Sequence, residues 1–407
     1  MHARKIAFVS SYDESCGIAT FTQVLVDSIN KIPGWKAECL KLDLLFTQSA
    51  NRQGQKLGDD HVRQIAAQMK DYDAVNIQCE FGLYGTTPGM IYKRLEMLAK
   101  AHPSTSLTMH TLSFTDERER LAKFLMRTAS LSLRLKLSDA LRDFRDRRAA
   151  GRTTKITRKV LEIFMRRDIP IIVHTERSRR YIKHFLGYDD VRAHPLKYLA
   201  ADFRPDLSAF DRIKSHQGLD ATDKTIGIFG FVAPYKGHDD ALAALKLLPK
   251  NYKLLIFGRQ HPRSIRNNAK DPYVAHLLAT IEKQKLCGRV FFMGELPHED
   301  FIGMAAGVDV CWMPYYENGQ EGSGIASICL DVAPRVLCST AFVFDELFRL
   351  SPYSNVMRFD IGNYRELADK TRLILDRDAP QPPYSTQTYT VESQAALYLE
   401  TTLRKAR

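Results

Sequence analysis

The loop from Pro314 to Ser327, which runs Tyr315-Tyr316-Glu317-Asn318-Gly319-Gln320-Glu321-Gly322-Ser323-Gly324-Ile325 in between, joins an apolar run to a helical pattern. Glycines at 322 and 324 let a backbone approach a ligand closely, and the helix behind them offers unpaired N–H groups at its positive end. A carboxylate ahead of such a nest, Glu321, suits hydroxyl groups, as on a sugar, better than a phosphate. Lys236, before Gly237 in the loop Phe229–Gly237, is placed to meet a phosphate as a point charge. Gly258-Arg259 brings a second cation to the same sheet edge. His110 ends a strand and is followed by Thr111 and Ser113, and Gly17 with Thr20 and Thr22 opens the first helix. Each taken alone is also compatible with a plain turn, a solvated cation or a structural histidine. The chain has no G-x-G-x-x-G, Walker loop, H-E-x-x-H, G-x-S-x-G or zinc-ligand spacing. No cofactor and no catalytic metal are expected.

These loops need strands that end where they begin. Buried-strand runs are expected at Ile6–Ser10, Ala37–Leu42, Ala74–Cys79, Leu107–His110, Pro170–Val173 and just before His194. Helical spacing lies between them at 18–32, 63–69, 90–101 and 178–185, and 84–89 has loop chemistry. A second alternation starts at Thr225–Phe231 and continues through strands at Tyr252–Phe257, Val290–Met293 and Val308–Met313, with a helix after Gly324. Strands alternating with helices imply parallel sheets covered on both faces, in which ligands bind beyond the carboxyl ends of the strands. The polar stretch 202–223 sets the boundary: a first domain 1–205, a second 206–385, and a C-terminal helix within 386–407 that can pack back on the first.

With 407 residues, two such domains can each bury a core unaided. Lys plus Arg number 59 and Asp plus Glu 47, a net charge of +12 that calls for an anionic partner. Most of it lies in residues 116–168, with 16 basic against 8 acidic side chains and leucines at 131, 133, 135, 137 and 141. This segment reads as a basic helical insertion. Three uses stay open for it: docking on an anionic membrane surface, packing on the first domain, or self-association. Nucleic acid draws only on net charge, with no basic–aromatic platform, and is not expected. No apolar run reaches the length of a membrane span. Seven cysteines without a C-x-x-C pair, several inside apolar runs, read as buried reduced thiols, and with no secretion signal the expected location is the cytoplasm, peripherally at the inner face of the membrane if the basic segment docks there.

In order, these loops resemble glycosyltransferase family 4 of bacterial type. The stretch Phe229–Gly237 with the helical pattern 239–248 is similar to that family's loop-Lys-Gly-helix segment. Phe292-Met293-Gly294 through Pro314, the Glu321-Gly-Ser-Gly motif, and Cys16-Gly17-Ile18-Ala19-Thr20-Phe21-Thr22 resemble further family segments. The resemblance implies a GT-B fold, α/β, with two Rossmann-like α/β/α domains facing a central cleft, and a retaining, metal-independent transfer of a hexose. The donor would be a nucleotide-sugar and the acceptor a growing glycan or glycolipid of the cell-surface polysaccharide kind. It implies that Lys236 neutralises the donor diphosphate with Arg259 beside it, and that Glu321 holds sugar hydroxyls. Gly17, Gly322, Ser323, Gly324 and Ile325 would bring backbone to the donor, Gly294 to Leu296 would border the base, and His110 would lie by the anomeric carbon. Glu80 and Tyr84 are expected on the acceptor side. Two positions depart from the family: Phe231 where an arginine is usual, and Cys329 where a second glutamate is usual, with Asp331 two residues on, about 200° around a helix. The departures keep an alternative open, an inactive relative that binds a nucleotide-sugar or a partner transferase. Sugar, base and oligomeric state are not legible.

Overall fold

The computed structural model describes residues 3–14, 16–113, 153–200, 202–259, 271–317, 321–346, 355–377 and 389–403. They divide into two compact units, one of Met1–His194 with Gly319–Glu321 and Glu392–Arg407, the other of Pro195–Asn318 with Gly322–Val391.

The first unit holds β1 (Arg4–Ser10), β2 (Trp35–Lys41), β3 (Ala74–Cys79), β4 (Thr105–Met109), β5 (Ile171–Val173) and β6 (Val191–Ala193), paired in the order β2-β1-β3-β4-β5-β6. All its pairs are parallel. Such strands are buried on both faces and read as unbroken apolar runs, as Ile6-Ala7-Phe8-Val9 does. β3 is an exception with a purpose. Val75, Ile77 and Cys79 join the apolar core, while Asn76 and Gln78 point to the other face, in register with Ser106 and Thr108 of β4. That polar stripe is covered by helix Val391–Leu403, from which Thr402 and Tyr398 bond Ser106 (2.7 Å) and Thr108 (3.2 Å). Of the basic segment, 116–152 lies outside the described residues; 153–165 is a helix whose Val160, Leu161 and Phe164 are buried in the first unit's core.

The second unit holds β7 (Lys224–Phe229), β8 (Tyr252–Phe257), β9 (Val290–Gly294), β10 (Val310–Met313), β11 (Val336–Ser339) and β12 (Val356–Phe359), in the order β12-β11-β10-β7-β8-β9, again all parallel. Side chains alternate between its two faces with period two. Ile226, Ile228, Leu254, Ile256, Val310 and Trp312 fill one core, while Phe229, Leu255, Phe257, Cys311 and Met313 fill the other. In both sheets the chain reverses direction of travel beside its first strand, between β1 and β3 and between β10 and β7. These switch points open a crevice at the strands' carboxyl ends.

Some elements differ from expectation. The polar stretch 202–223 carries helix Ser208–His216, whose Ala209 and Phe210 are buried in the second core. Residues 81–84, for which no element was expected ahead of the loop chemistry at 84–89, form a helical turn. That turn is anchored by Arg94 of helix Pro88–Ala99, whose fully buried guanidinium bonds Asp59 (2.8 Å) and the carbonyls of Thr47 (2.7 Å), Tyr84 (3.0 Å) and Gln55 (3.0 Å). Removing one partner of such a buried network costs about 3–5 kcal/mol. Arg94→Met is therefore expected to lower the melting temperature of the first unit by roughly 10 °C, at about 2–4 °C per kcal/mol for a unit of this size. A melting curve that superimposes on the unmodified protein's would refute that role.

Candidate active site

Beyond β7 the chain turns through Gly230 and Pro234–Lys236 into helix His238–Leu247; beyond β10 it runs to helix Gly324–Val332. The two loops flank the switch point and are locked together. Gly237 has φ +72°, and a β-carbon there would stand 1.8 Å from the carbonyl oxygen of Pro314. The Tyr316 N–H donates to the Tyr235 carbonyl at 2.8 Å. Only glycine fits at 237, because the backbone is left-handed and a neighbouring backbone occupies the side-chain position.

Lys236 is driven inward by this turn and is buried, 4% exposed. Its ammonium donates to the Tyr315 hydroxyl and lies 3.9 Å from that ring's centroid. No carboxylate lies within ion-pair distance of it among the described residues. Burial without a counter-charge pulls its pKa down from 10.5 to about 7. A β-carbon on Gly230 would stand 3.4 Å from Lys236 Nζ and 3.3 Å from Ile325 Cγ1, so the ammonium sits beside the first turn of helix Gly324–Val332. Ser323 caps that helix, accepting from the Ala326 N–H at 3.2 Å. The Tyr198 hydroxyl fills the space a side chain at 324 would need, 2.4 Å from the ideal β-carbon. Lys236 and Ile325 thus meet beside the helix start that Ser323 caps.

Arg259, after β8, has its guanidinium 6.0 Å from the Phe231 ring and 3.1 Å from the Glu295 carboxylate. The Arg259 carbonyl also accepts from the Val232 N–H at 2.9 Å, so the cation is tied to the same loop as Phe231. Gly294 ends β9, exposed and with φ +75°, and Leu296 is half-buried behind it. Where the family's second glutamate is usual, no free carboxylate stands: Cys329 is fully buried in the core, and Asp331, two residues on, forms a buried ion pair with Lys197 at 2.9 Å.

In the first unit Gly17 begins helix Gly17–Asn30 with open space where a side chain would be. Glu80, after β3, accepts the Thr111 hydroxyl at 2.6 Å. Tyr84, expected on the acceptor side, is instead fully buried and donates its hydroxyl to the Gln78 carbonyl at 2.8 Å. The helical turn 81–84 directs its ring into the core, so it is withdrawn from the site. His110 is 7% exposed, and both its ring nitrogens are engaged, by Gln78 (2.6 Å) and His174 (3.1 Å). Glu321 belongs with this unit, 1% exposed, and accepts the hydroxyl of Thr175 at 2.8 Å.

Gln78, His174 and Thr175 were not singled out in the sequence. The signal for the first was present: Asn76 and Gln78 alternate with apolar residues, as Ser106, Thr108 and His110 do, so two adjacent strands present polar groups to one face. Thr175 is also a helix cap, accepting from the Ser178 N–H at 3.2 Å, a pattern that does not announce a carboxylate partner. Among the described residues no helix is long and apolar enough to cross a membrane.

Residues 209–328 match the family model described as Glycosyl transferases group 1. No curated protein sequence matches the chain. Among solved structures it is similar to HepE of Anabaena in complex with UDP-glucose, at 14% identity and a TM-score of 0.61, covering 99% of this chain and 98% of that one. A sucrose-phosphate synthase from Thermosynechococcus elongatus gives 14% identity and 0.61, covering 99% and 97%. A UDP-forming α,α-trehalose-phosphate synthase from Burkholderia xenovorans, in complex with glucose-6-phosphate, gives 9% and 0.65, covering 98% and 100%. At these identities the likeness shows the fold: two successive Rossmann-like units of the GT-B type.

Proposed function

We propose that the chain is a retaining glycosyltransferase that moves a hexose from a nucleotide-sugar to a growing glycan or glycolipid. The observation that carries this reading is Lys236: a buried ammonium with no carboxylate within ion-pair distance among the described residues, beside a helix start at a switch point. A cation held there unpaired is a standing site for an anion, and a diphosphate next to a helix N-terminus supplies one. The match of residues 209–328 to the group 1 glycosyl transferases and the UDP-glucose bound by HepE support a nucleotide-sugar in particular.

In this reading Lys236, with Arg259, stabilises the departing nucleoside diphosphate as the glycosidic bond breaks. The backbone N–H groups of Ser323 to Ile325 assist it, and Gly294 to Leu296 border the base. In the first unit Glu321 holds donor-sugar hydroxyls, Gly17 lets backbone approach, and His110 acts near the reacting carbon. Such positioned charge lowers the barrier without proton transfer to the leaving group. Glu80 remains the acceptor-side candidate. A cytoplasmic enzyme at an inner membrane face, working without a metal, fits a lipid-linked acceptor.

A second reading rests on Cys329 and Asp331: with neither position offering a free carboxylate, the chain would bind a nucleotide-sugar or a partner transferase and turn nothing over. One experiment separates them. Thermal shift against UDP-, GDP- and ADP-sugars finds the donor, since a ligand that binds only the folded state raises its melting temperature. The best donor is then followed for release of nucleoside diphosphate. Slow release that persists in EDTA and falls by orders of magnitude in His110→Ala is expected; binding with no release at all establishes the second reading.

A further inference from the structure

The first unit carries a row of buried polar side chains beneath the ends of β3, β4 and β5. His110 and His174 are 7% and 3% exposed, their ring centroids 4.8 Å apart, with His174 Nε2 3.1 Å from His110 Nδ1. On its other side His174 Nδ1 lies 3.2 Å from the His194 carbonyl, and His110 Nε2 lies 2.6 Å from the Gln78 side-chain oxygen. Phe21 sets a ring edge against each imidazole, at 5.4 Å. The Gln78 amide donates on to Asn76 at 2.6 Å, and Asn76 reaches Ser106 (2.8 Å) and Thr108 (3.1 Å).

Proton counting constrains this row. Three contacts run from the His194 carbonyl to Gln78, and two neutral imidazoles bring two N–H groups. With the Gln78 oxygen facing His110, both ends are acceptors and three N–H groups are needed, one proton more than the neutral pair holds. With the amide turned over, two suffice: His174 Nδ1–H donates to His194, His110 Nδ1–H to His174, and the Gln78 amide to His110 Nε2. Asn76 then turns too, its oxygen receiving the Ser106 and Thr108 hydroxyls.

We propose that His174 is the positioning residue of His110, fixing which nitrogen of His110 carries the proton, and that the two rings take up one proton between them, with Gln78 and Asn76 turning over when they do. The inference rests on the reading that His110 serves the donor sugar. A second imidazolium at this separation and depth would face the first with no water between them. Burial holds His110 well below its ordinary range and His174 at about 4, so the pair is neutral at physiological pH. The titratable groups around it are His194, whose ring is turned to the Ser393 hydroxyl at 2.9 Å, and Tyr398, whose hydroxyl bonds Thr108 at 3.2 Å and the Gln78 side chain; Cys79 points to the other face of the sheet. The carboxylates of Glu80 and Glu321 are held one residue further along, on Thr111 (2.6 Å) and Thr175 (2.8 Å).

Long-range 1H–15N spectra of the full chain with 15N-labelled histidine, between pH 4 and 8, test it. The expected result is a His110 protonated at Nδ1, no titration of either ring above pH 5, and joint movement of both when one proton is taken up. In His174→Phe, His110 is expected to revert to the commoner Nε2–H form and titrate alone at higher pH, with kcat down about ten- to a hundredfold and KM for the donor little changed. In His174→Gln, an amide that can accept from His110 and donate to His194 restores the Nδ1–H form and most of the rate. If His174→Phe fails to fold, the His174→Gln spectra decide: Nδ1–H supports the proposal and Nε2–H overturns it. Separate titrations of both rings above pH 5 in the unmodified protein, or an unchanged tautomer in His174→Phe, also overturn it. The spectra decide this even for a protein that transfers no sugar; absent transfer with the expected spectra sinks the catalytic reading alone.

Discussion

Lys236→Met is expected to weaken binding of UDP or GDP by roughly thirty- to several-thousand-fold, whichever the protein prefers. Truncating one partner of a desolvated charge pair costs about 2–5 kcal/mol, because the other charge is left buried without compensation. The anion here meets an ammonium whose hydrogen-bond partner among the described residues is the Tyr315 hydroxyl. The unmodified site also has a pH signature. Its pKa of about 7 in the folded chain lies below the ordinary 10.5, because burial disfavours the charge. A diphosphate restores that charge, so above pH 7 binding takes up a proton and affinity falls by up to tenfold per pH unit. For stability without ligand the unfolded chain binds more protons between about pH 7 and 10.5, so this lysine makes stability rise with pH over that window. Lys236→Met removes both dependences and, having no charge to bury, melts higher than the parent at pH 7 and below. Isothermal titration at pH 6.5, 7.5 and 8.5 checks the first and thermal melts the second. Undiminished nucleotide binding in the variant would end the assignment of Lys236 to the diphosphate.

The ease with which this fold reads from sequence has a physical source. Parallel strands buried on both faces leave unbroken apolar runs, so β1, β7, β8 and β10 stand out, and the loops after them follow. The less apolar strands did not: β12, Val-Met-Arg-Phe, has only Phe359 fully buried, and nothing local distinguishes it from a loop. The helix Ser208–His216 was hidden because its polar face dominates, while only a few residues, Ala209, Phe210 and Ile213, carry its packing, with Phe210 against Gly307. Residue type and position after a strand were enough to single out Lys236 and the Glu321-Gly-Ser-Gly loop as candidates. They could not show that Tyr84 turns inward, since that depends on Arg94 holding the turn from a helix ten residues on. Nor could they show that His110 is bracketed by His174, which is brought to it only by the pairing of β4 with β5.

Glu321→Ala is expected to leave UDP or GDP binding within about twofold of normal while lowering kcat/KM for transfer by a factor of a hundred or more. The carboxylate is 1% exposed and already accepts one hydroxyl, that of Thr175 at 2.8 Å. A carboxylate has room for about four such bonds, and in the proposed reading hydroxyl groups of the donor sugar take up some of them. Each hydrogen bond to a charged group contributes about 1.5–3 kcal/mol. Two of them to a donor sugar, strengthened as positive charge develops at the reacting carbon, are worth about 3–6 kcal/mol, which is a factor of roughly a hundred to twenty thousand in rate. The nucleoside diphosphate carries no such sugar and should not notice the change. Glu321→Gln keeps an oxygen for Thr175 but loses the charge, and should fall between parent and alanine variant. Thr175→Val removes the bond that orients the carboxylate together with the cap on the Ser178 N–H, and about a tenfold loss is expected there. Kinetics with the donor found by thermal shift, set beside UDP or GDP titrations of the same variants, makes the comparison. If Glu321→Ala loses nucleotide binding as severely as Lys236→Met, the carboxylate supports the fold of the site rather than the sugar; if it transfers at the parent rate, it does neither.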